Sequence, residues 1–145
     1  MSELDDAAAV LIRTAPTFES HWRTQVAEEP ELGELPYTAV GRLAKHIVDD
    51  LRLDPAARLE TTFETVETLI TTGGPKCRNL LIVGFLEDLQ NASLYAEVPL
   101  DFWKHWLGRE TADAWSWLIE VWEGRMSPAD FNARVDCAGP NHRPS

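Results

Sequence analysis

A single stretch of the chain limits the possible folds most strongly. Six of the seven residues in the range Leu80–Leu86 are apolar, and only Gly84 separates them. The helix predicted around this run begins at Pro75 and ends at Asn91, and both residue types are common at helix ends. A helix that is apolar on every side must be covered on every side. Because the flanking segments have the spacing of amphipathic helices, the sequence predicts a central helix inside an all-α protein.

Proline and glycine divide the rest of the chain into further helices, whose apolar residues recur with a period near 3.6 rather than 2. The predicted helices are Leu4–Thr14, Thr17–Ala27, Pro36–Leu51, a helix that starts at Asp54-Pro55 and ends in a left-handed cap at Gly73 or Gly74, Pro75–Asn91, a short helix from Pro99 to Gly108, a longer one that ends at Glu123, and a last one that starts at Ser127-Pro128. Short connections favour antiparallel neighbours. We therefore expect one domain over residues 1–136, a helical bundle or a short HEAT-like stack of about six to eight helices. Residues 137–145 are predicted to be a disordered tail.

Five of the six tryptophans lie in the last third of the chain. Trp115 and Trp122 fall on one predicted helical stripe with Leu118 and Ile119, so we expect both rings in the core. Trp117 points to the opposite side of the same helix. It either packs under the last helix or is an exposed aromatic anchor of the kind that is enriched at binding hot spots.

The charge of the chain bears on its partners and its compartment. A formal net charge of −11 repels phosphate backbones, so no binding to nucleic acid is expected. The simplest interpretation is a soluble acidic protein, and the sharper one is attraction to a basic protein partner. The acidic N-terminus does not resemble a signal peptide, and the longest apolar run is too short for a bilayer. With Cys77 and Cys137 as free thiols, we expect a cytoplasmic protein without membrane contact.

Three glutamates share one sector of the predicted fourth helix. Glu60, Glu64 and Glu67 lie about a quarter-turn from the apolar stripe of that helix. Such a face is usually solvated. The alternative is a docking edge for a basic partner, and with Trp117 these residues are the partner-binding candidates.

Other groupings of polar residues give weaker signals. Residues 71–78 could form an anion site, but a helix end joined to a proline-initiated helix explains them fully. His46 and Asp50 have ligand spacing, although a catalytic zinc site needs about three protein ligands. Glu87 and Asp88 could form an acid/base pair, or could mark where the central helix reaches water. No catalytic residue, metal ligand or cofactor is therefore predicted.

Three phrases of the sequence resemble a known family. They are Gly-Glu-Leu-Pro-Tyr at residues 33–37, Val-Gly-Phe-Leu-Glu-Asp-Leu-Gln-Asn at 83–91, and Trp-Leu-Gly at 106–108 followed by Ala114-Trp115. They resemble small helical bacterial proteins of unknown function, some of them suspected immunity proteins against toxins. The resemblance covers about residues 33 to 124, and it implies an architecture without any catalytic residue.

The charge and the resemblance together give an expected function. The leading hypothesis is a non-enzymatic interaction module, an immunity-type inhibitor that binds a basic toxin domain. The first alternative is an accessory or housekeeping helical protein. The second is an enzyme whose active site is assembled from separate helices.

Overall fold

The computed structural model describes residues 3–51 and 59–137. Within these ranges the chain forms eight α-helices and no strand, which confirms the predicted all-α class. The helices are α1 (Glu3–Ile12), α2 (Pro16–Glu28), α3 (Pro36–Asp50), α4 (Leu59–Thr72), α5 (Pro75–Asn79), α6 (Glu87–Tyr95), α7 (Arg109–Trp122) and α8 (Pro128–Cys137). Two 3-10 turns, Pro30–Glu34 and Leu100–His105, connect them. The predicted helix start at Asp54-Pro55 and residues 138–145 of the predicted tail lie outside the described residues, whereas residue 137, predicted to begin that tail, is the last residue of α8.

The predicted central helix is present, and it is longer than expected. Helix α5, a π-helical segment (Leu80–Leu86) and α6 follow one another without a break, so the rod runs to Tyr95 instead of Asn91. The N–H of Glu87 donates to the carbonyl of Ile82, which is the i to i−5 spacing of a π-helix. The side chains of Leu80, Leu81, Ile82, Phe85 and Leu86 are completely buried. The apolar run is therefore the core of the protein.

The other helices surround this rod. Helix α3 crosses the rod closely at Gly84. A Cβ at this position would lie 3.0 Å from Val40 Cγ2 and 3.1 Å from Tyr37 Cδ2. Helix α1 contacts α3, α4 and α5, and α4 contacts α7. Contacts between helices that are distant in sequence are typical of a bundle, whereas a solenoid is built mainly from contacts between successive repeats. Among the described residues, no helix is both long enough and apolar enough to span a membrane.

The predicted left-handed cap at Gly73 or Gly74 is wrong. Gly74 has φ −76° and ψ −178°, an extended conformation, and the glycine with positive φ in the described ranges is Gly124 (φ 74°). The reason is Pro75, whose ring forces the preceding residue into extended backbone. Gly73 is required for space, since a Cβ there would lie 2.6 Å from the Leu69 carbonyl oxygen and 2.7 Å from Cys77 Sγ.

The tryptophan stripe of α7 is half confirmed. Trp115 is completely buried, as predicted, but Trp122 is 55% exposed, so its assignment to the core is wrong. Trp122 is the last residue of α7. The helices that cover Trp115 do not extend as far as Trp122. At the start of α8, the expected cap is present, because Ser127 Oγ accepts the N–H of Asp130 at 3.1 Å.

Candidate functional site

The three glutamates of α4 do not form one surface. Glu60 and Glu64 are exposed and have no ion pair with any described residue. Glu67 is half-buried, and its carboxylate accepts four hydrogen bonds: from the N–H groups of Glu110 (3.1 Å) and Thr111 (2.8 Å), from Thr111 Oγ1 (2.7 Å) and, at a longer distance, from Thr71 Oγ1 (3.5 Å). The expected acidic face is therefore corrected to Glu60 and Glu64.

Glu67 caps a helix that is distant in sequence. The first N–H groups of α7 have no partner inside that helix, and its dipole favours a negative charge at this end. Glu67 supplies that charge from α4. The carboxylate needs the space that Gly108 leaves, because a Cβ at Gly108 would lie 2.5 Å from Glu67 Oε1. The contact fixes α4 against α7 and explains why Gly108 precedes this helix.

This cap gives a prediction that separates two neighbouring glutamates. Replacing Glu67→Gln removes the charge and one acceptor oxygen, so we expect a loss of about 1–2 kcal/mol in the free energy of unfolding. The control is Glu64→Gln, an exposed position on the same helix, with a change within about 0.5 kcal/mol. Denaturant unfolding measures both. Equal effects of the two substitutions would contradict the capping role.

Trp117 takes the first of its two predicted positions. The ring is half-buried, and the guanidinium carbon of Arg134 in α8 lies 5.8 Å from its centroid. It therefore packs under the last helix, which disfavours its role as an exposed anchor. A more exposed aromatic side chain is Tyr95 at the end of the central helix, 94% exposed, beside Leu94 at 49%. Both residues lie beyond Asn91, where the sequence predicts that the central helix ends.

A cleft of about 660 Å³ opens between α3 and α6. Helix α3 contributes Gly41, Lys45, Val48 and Asp49, and the central helix and the residue after it contribute Asp88, Ala92, Tyr95 and Ala96. The carboxylate of Asp88 lies directly against Gly41, where any side chain would overlap it. The walls are mainly apolar and small. Ionisable groups sit on both helices.

The carboxylates near this cleft are not all neutralised. Lys45 Nζ pairs with Asp49 Oδ2 at 2.8 Å, one turn along its own helix. Glu87 and Asp88 make no hydrogen bond or ion pair within the described part of the chain, although both are half-buried. Burial raises the pKa of Asp88. Burial also raises the pKa of Glu87, and the adjacent charge of Asp88 raises it further. Two partly desolvated carboxylates without a cation are costly, and such groups are concentrated at functional sites.

The raised pKa of Asp88 gives a prediction on pH. Its folded-state pKa lies above the unfolded value, so the stabilising form is the protonated one, and that contribution is lost as the pH rises through the folded pKa. We therefore expect Asp88→Asn to be more stable than the natural protein at pH 7, by less than about 1 kcal/mol. The difference should shrink below about pH 4, near the ordinary Asp value. Urea unfolding at both pH values measures it, and a destabilised variant at pH 7 would contradict it.

The segment 71–78 does not form an anion site. Arg78 is buried and donates to the carbonyl oxygens of Val135 (2.7 Å) and Ile70 (2.8 Å), so its charge serves the ends of α8 and α4. Lys76 is exposed. The expected junction, a helix end joined to a proline-initiated helix, is what the structure shows.

The His46 and Asp50 pair lies on the surface of α3. His46 Nε2 is 3.7 Å from Asp50 Oδ2 and 3.1 Å from Thr17 Oγ1, and its ring packs against Phe18 at 5.4 Å between centroids. In the described ranges, no three His, Cys, Asp or Glu side chains are grouped as metal ligands. A hydroxyl and a carboxylate therefore hold this imidazole in a structural contact.

A family model matches most of this chain. No curated protein and no solved structure matches the chain. A family model described as "Domain of unknown function (DUF7674)" matches residues 8–123, which run from α1 to the end of α7. This range contains the central helix, the Glu67 cap and the cleft between α3 and α6, whereas α8 follows it. The chain therefore belongs to the DUF7674 family, a family of small domains whose function is unknown.

Proposed function

We propose that this protein is a non-enzymatic interaction module that binds a basic protein, and more specifically an immunity-type inhibitor of a basic toxin domain. The observation that carries the proposal is the excess of exposed carboxylates without cations on a protein of net charge −11. The four exposed ion pairs of the described ranges, two Lys–Asp and two Arg–Glu, join residues close in sequence, and neither Glu60 nor Glu64 takes part in any of them.

The exposed acidic groups suit rapid capture of a basic partner. Glu60 and Glu64 lie one turn apart on α4, and Glu28, Glu29, Glu31 and Glu34 line the connection between α2 and α3. Surface charges of one sign raise the association rate of an oppositely charged protein and make it sensitive to salt. An inhibitor that must neutralise a toxin before damage occurs benefits from such steering.

A specific observation also favours the enzymatic alternative. Glu87 and Asp88 are neighbouring carboxylates with raised pKa values near an open cleft, and general acids in enzymes are tuned in this way. The interaction module is the better-supported function. Among the described residues no third group within hydrogen-bonding distance orients either carboxylate, and catalytic acids and bases are normally oriented so.

The test is association kinetics with the protein encoded by the adjacent gene. We expect association to slow as salt rises from about 50 to 500 mM. Replacing Glu60 and Glu64 together by Gln should slow association about two- to tenfold and flatten its salt dependence, with little change in stability. The matched control carries Asp130→Asn and Asp136→Asn on α8, which change the net charge equally at exposed positions outside the family match.

Two results would overturn the proposal. One is the absence of a complex with the product of the adjacent gene and with other basic proteins encoded nearby. The other is a complex whose association rate ignores salt and both pairs of substitutions. If the α8 control slows association as much as the α4 pair, the steering depends on the total charge, and binding of a basic protein is still supported.

A further inference from the structure

We propose that the cleft between α3 and α6 receives a lysine or arginine side chain of the partner protein, with its cationic group at Asp88 and its alkyl stem along Val48 and Ala92. This inference rests on the proposed function and specifies where the basic partner inserts. Its basis is the juxtaposition of an unpaired carboxylate, small apolar walls and a fully exposed aromatic side chain at one open cleft.

The shape of the cleft suits an aliphatic stem with a charged head. Its volume of about 660 Å³ exceeds that of one long side chain, and Val48, Ala92 and Ala96 provide apolar lining. Lysine and arginine bury their methylene stems on such surfaces while the head group finds a polar partner. The Asp88 carboxylate, placed against Gly41, is the acceptor on the wall that α6 provides.

Among the described residues that line the cleft, no cation pairs with the Asp88 carboxylate. The lysine that lines the cleft, Lys45, is directed one turn along α3 to Asp49 instead of across to Asp88. Glu87 adds a second negative charge next to Asp88. A partner cation would therefore relieve both carboxylates, whose pKa values are raised by burial.

Tyr95 supplies the rim of the site. Its side chain is 94% exposed and lines the cleft, and a tyrosine of this kind gives a large contact area at low cost in conformational entropy. The phenol ring also offers a face to a cation. We expect Tyr95→Ala to weaken partner binding about thirtyfold or more, mainly through faster dissociation, without affecting folding.

The first experiment uses small probes and needs no identified partner. N-acetyl-lysine methylamide is titrated into the full chain while NMR follows the amides of Ala92 and Ala96. We expect a dissociation constant of about 1 mM, typical for a ligand of this size. N-acetyl-norleucine methylamide, which keeps the four-carbon stem but lacks the ammonium group, should bind about tenfold more weakly or not at all, because it has no cation.

Two variants separate the cleft from general attraction to an acidic surface. Asp88→Asn should weaken binding of the lysine probe about tenfold, and the control Asp130→Asn on α8 should leave it unchanged. Binding should also lower the pKa of the Asp88 carboxyl, read by carbon-13 NMR; the other ionisable groups near it are Lys45 and Asp49 on α3 and Glu87 and Tyr95 on α6. Shifts that are equal for both probes, or unchanged in Asp88→Asn, would overturn the inference.

The outcome is distinguishable from failure of the proposed function. If the adjacent gene product binds the chain but Asp88→Asn and Tyr95→Ala bind it normally, the cleft is wrong and the interaction module stands. If the lysine probe binds at Asp88 but no basic protein binds, the cleft is supported as a cation receptor and the proposed function fails. A free-protein Asp88 pKa below its usual range that Lys45→Met raises would also overturn the inference, because the chain's own lysine would then fill the site.

Discussion

Replacing Phe85→Ala should cost about 3–5 kcal/mol in the free energy of unfolding. Phe85 is completely buried in the π-helical segment, and its ring lies 6.1 Å from that of Phe63 in α4. The substitution removes a large apolar surface and leaves a cavity that the surrounding helices cannot fill without moving. Denaturant unfolding followed by circular dichroism measures the loss.

The control for this prediction is Tyr95→Ala on the same rod. Tyr95 is almost fully exposed, so its removal should change stability by less than about 0.5 kcal/mol. A loss below about 1 kcal/mol for Phe85→Ala would mean that the rod is not the core of the protein.

A second large effect is expected at Arg78. Its guanidinium donates to carbonyl oxygens in the last turns of α4 and α8, where the helix has no internal donor for them. Replacing Arg78→Met keeps the length of the side chain but leaves two buried carbonyls without this donor. We expect a loss of about 2–5 kcal/mol, and a red shift of tryptophan fluorescence as α8 loosens from Trp117.

Lys76→Met provides the matched control, since it removes a basic side chain two residues earlier on the same short helix. Lys76 is exposed, so its loss should lie within about 0.5 kcal/mol. Similar losses at both positions would contradict the structural role of Arg78 and would point instead to a general effect of charge.

The sequence predicted the core well and the helix junctions less well. A helix that is apolar on every side, such as Leu80–Leu86, is stable only in the interior of the protein, and burial of Phe85 follows from this. Trp122 shows the limit of periodicity, because a stripe gives the direction of a side chain but not where the covering helices end. Gly74 shows another limit, since its backbone is governed by Pro75 and glycine permits both conformations.

The candidate site was predictable only in part, because it depends on contacts between elements distant in sequence. The spacing of Glu60, Glu64 and Glu67 places them on one side of α4, but only the position of α7 reveals that Glu67 caps it. From the sequence alone, Asp88 is expected to mark where the central helix reaches water or to belong to an acid/base pair with Glu87. Its role at the cleft depends on α3 approaching at Gly41, which periodicity does not predict.

The most direct test concerns Asp88. We infer that its carboxylate lowers the stability of the folded protein and serves to bind the partner. The measurement combines, for Asp88→Asn at pH 7, the free energy of unfolding and the dissociation constant for the basic protein encoded by the adjacent gene. We predict a variant that is slightly more stable and binds at least about tenfold more weakly. A variant that is less stable and binds the partner with unchanged affinity would contradict the account.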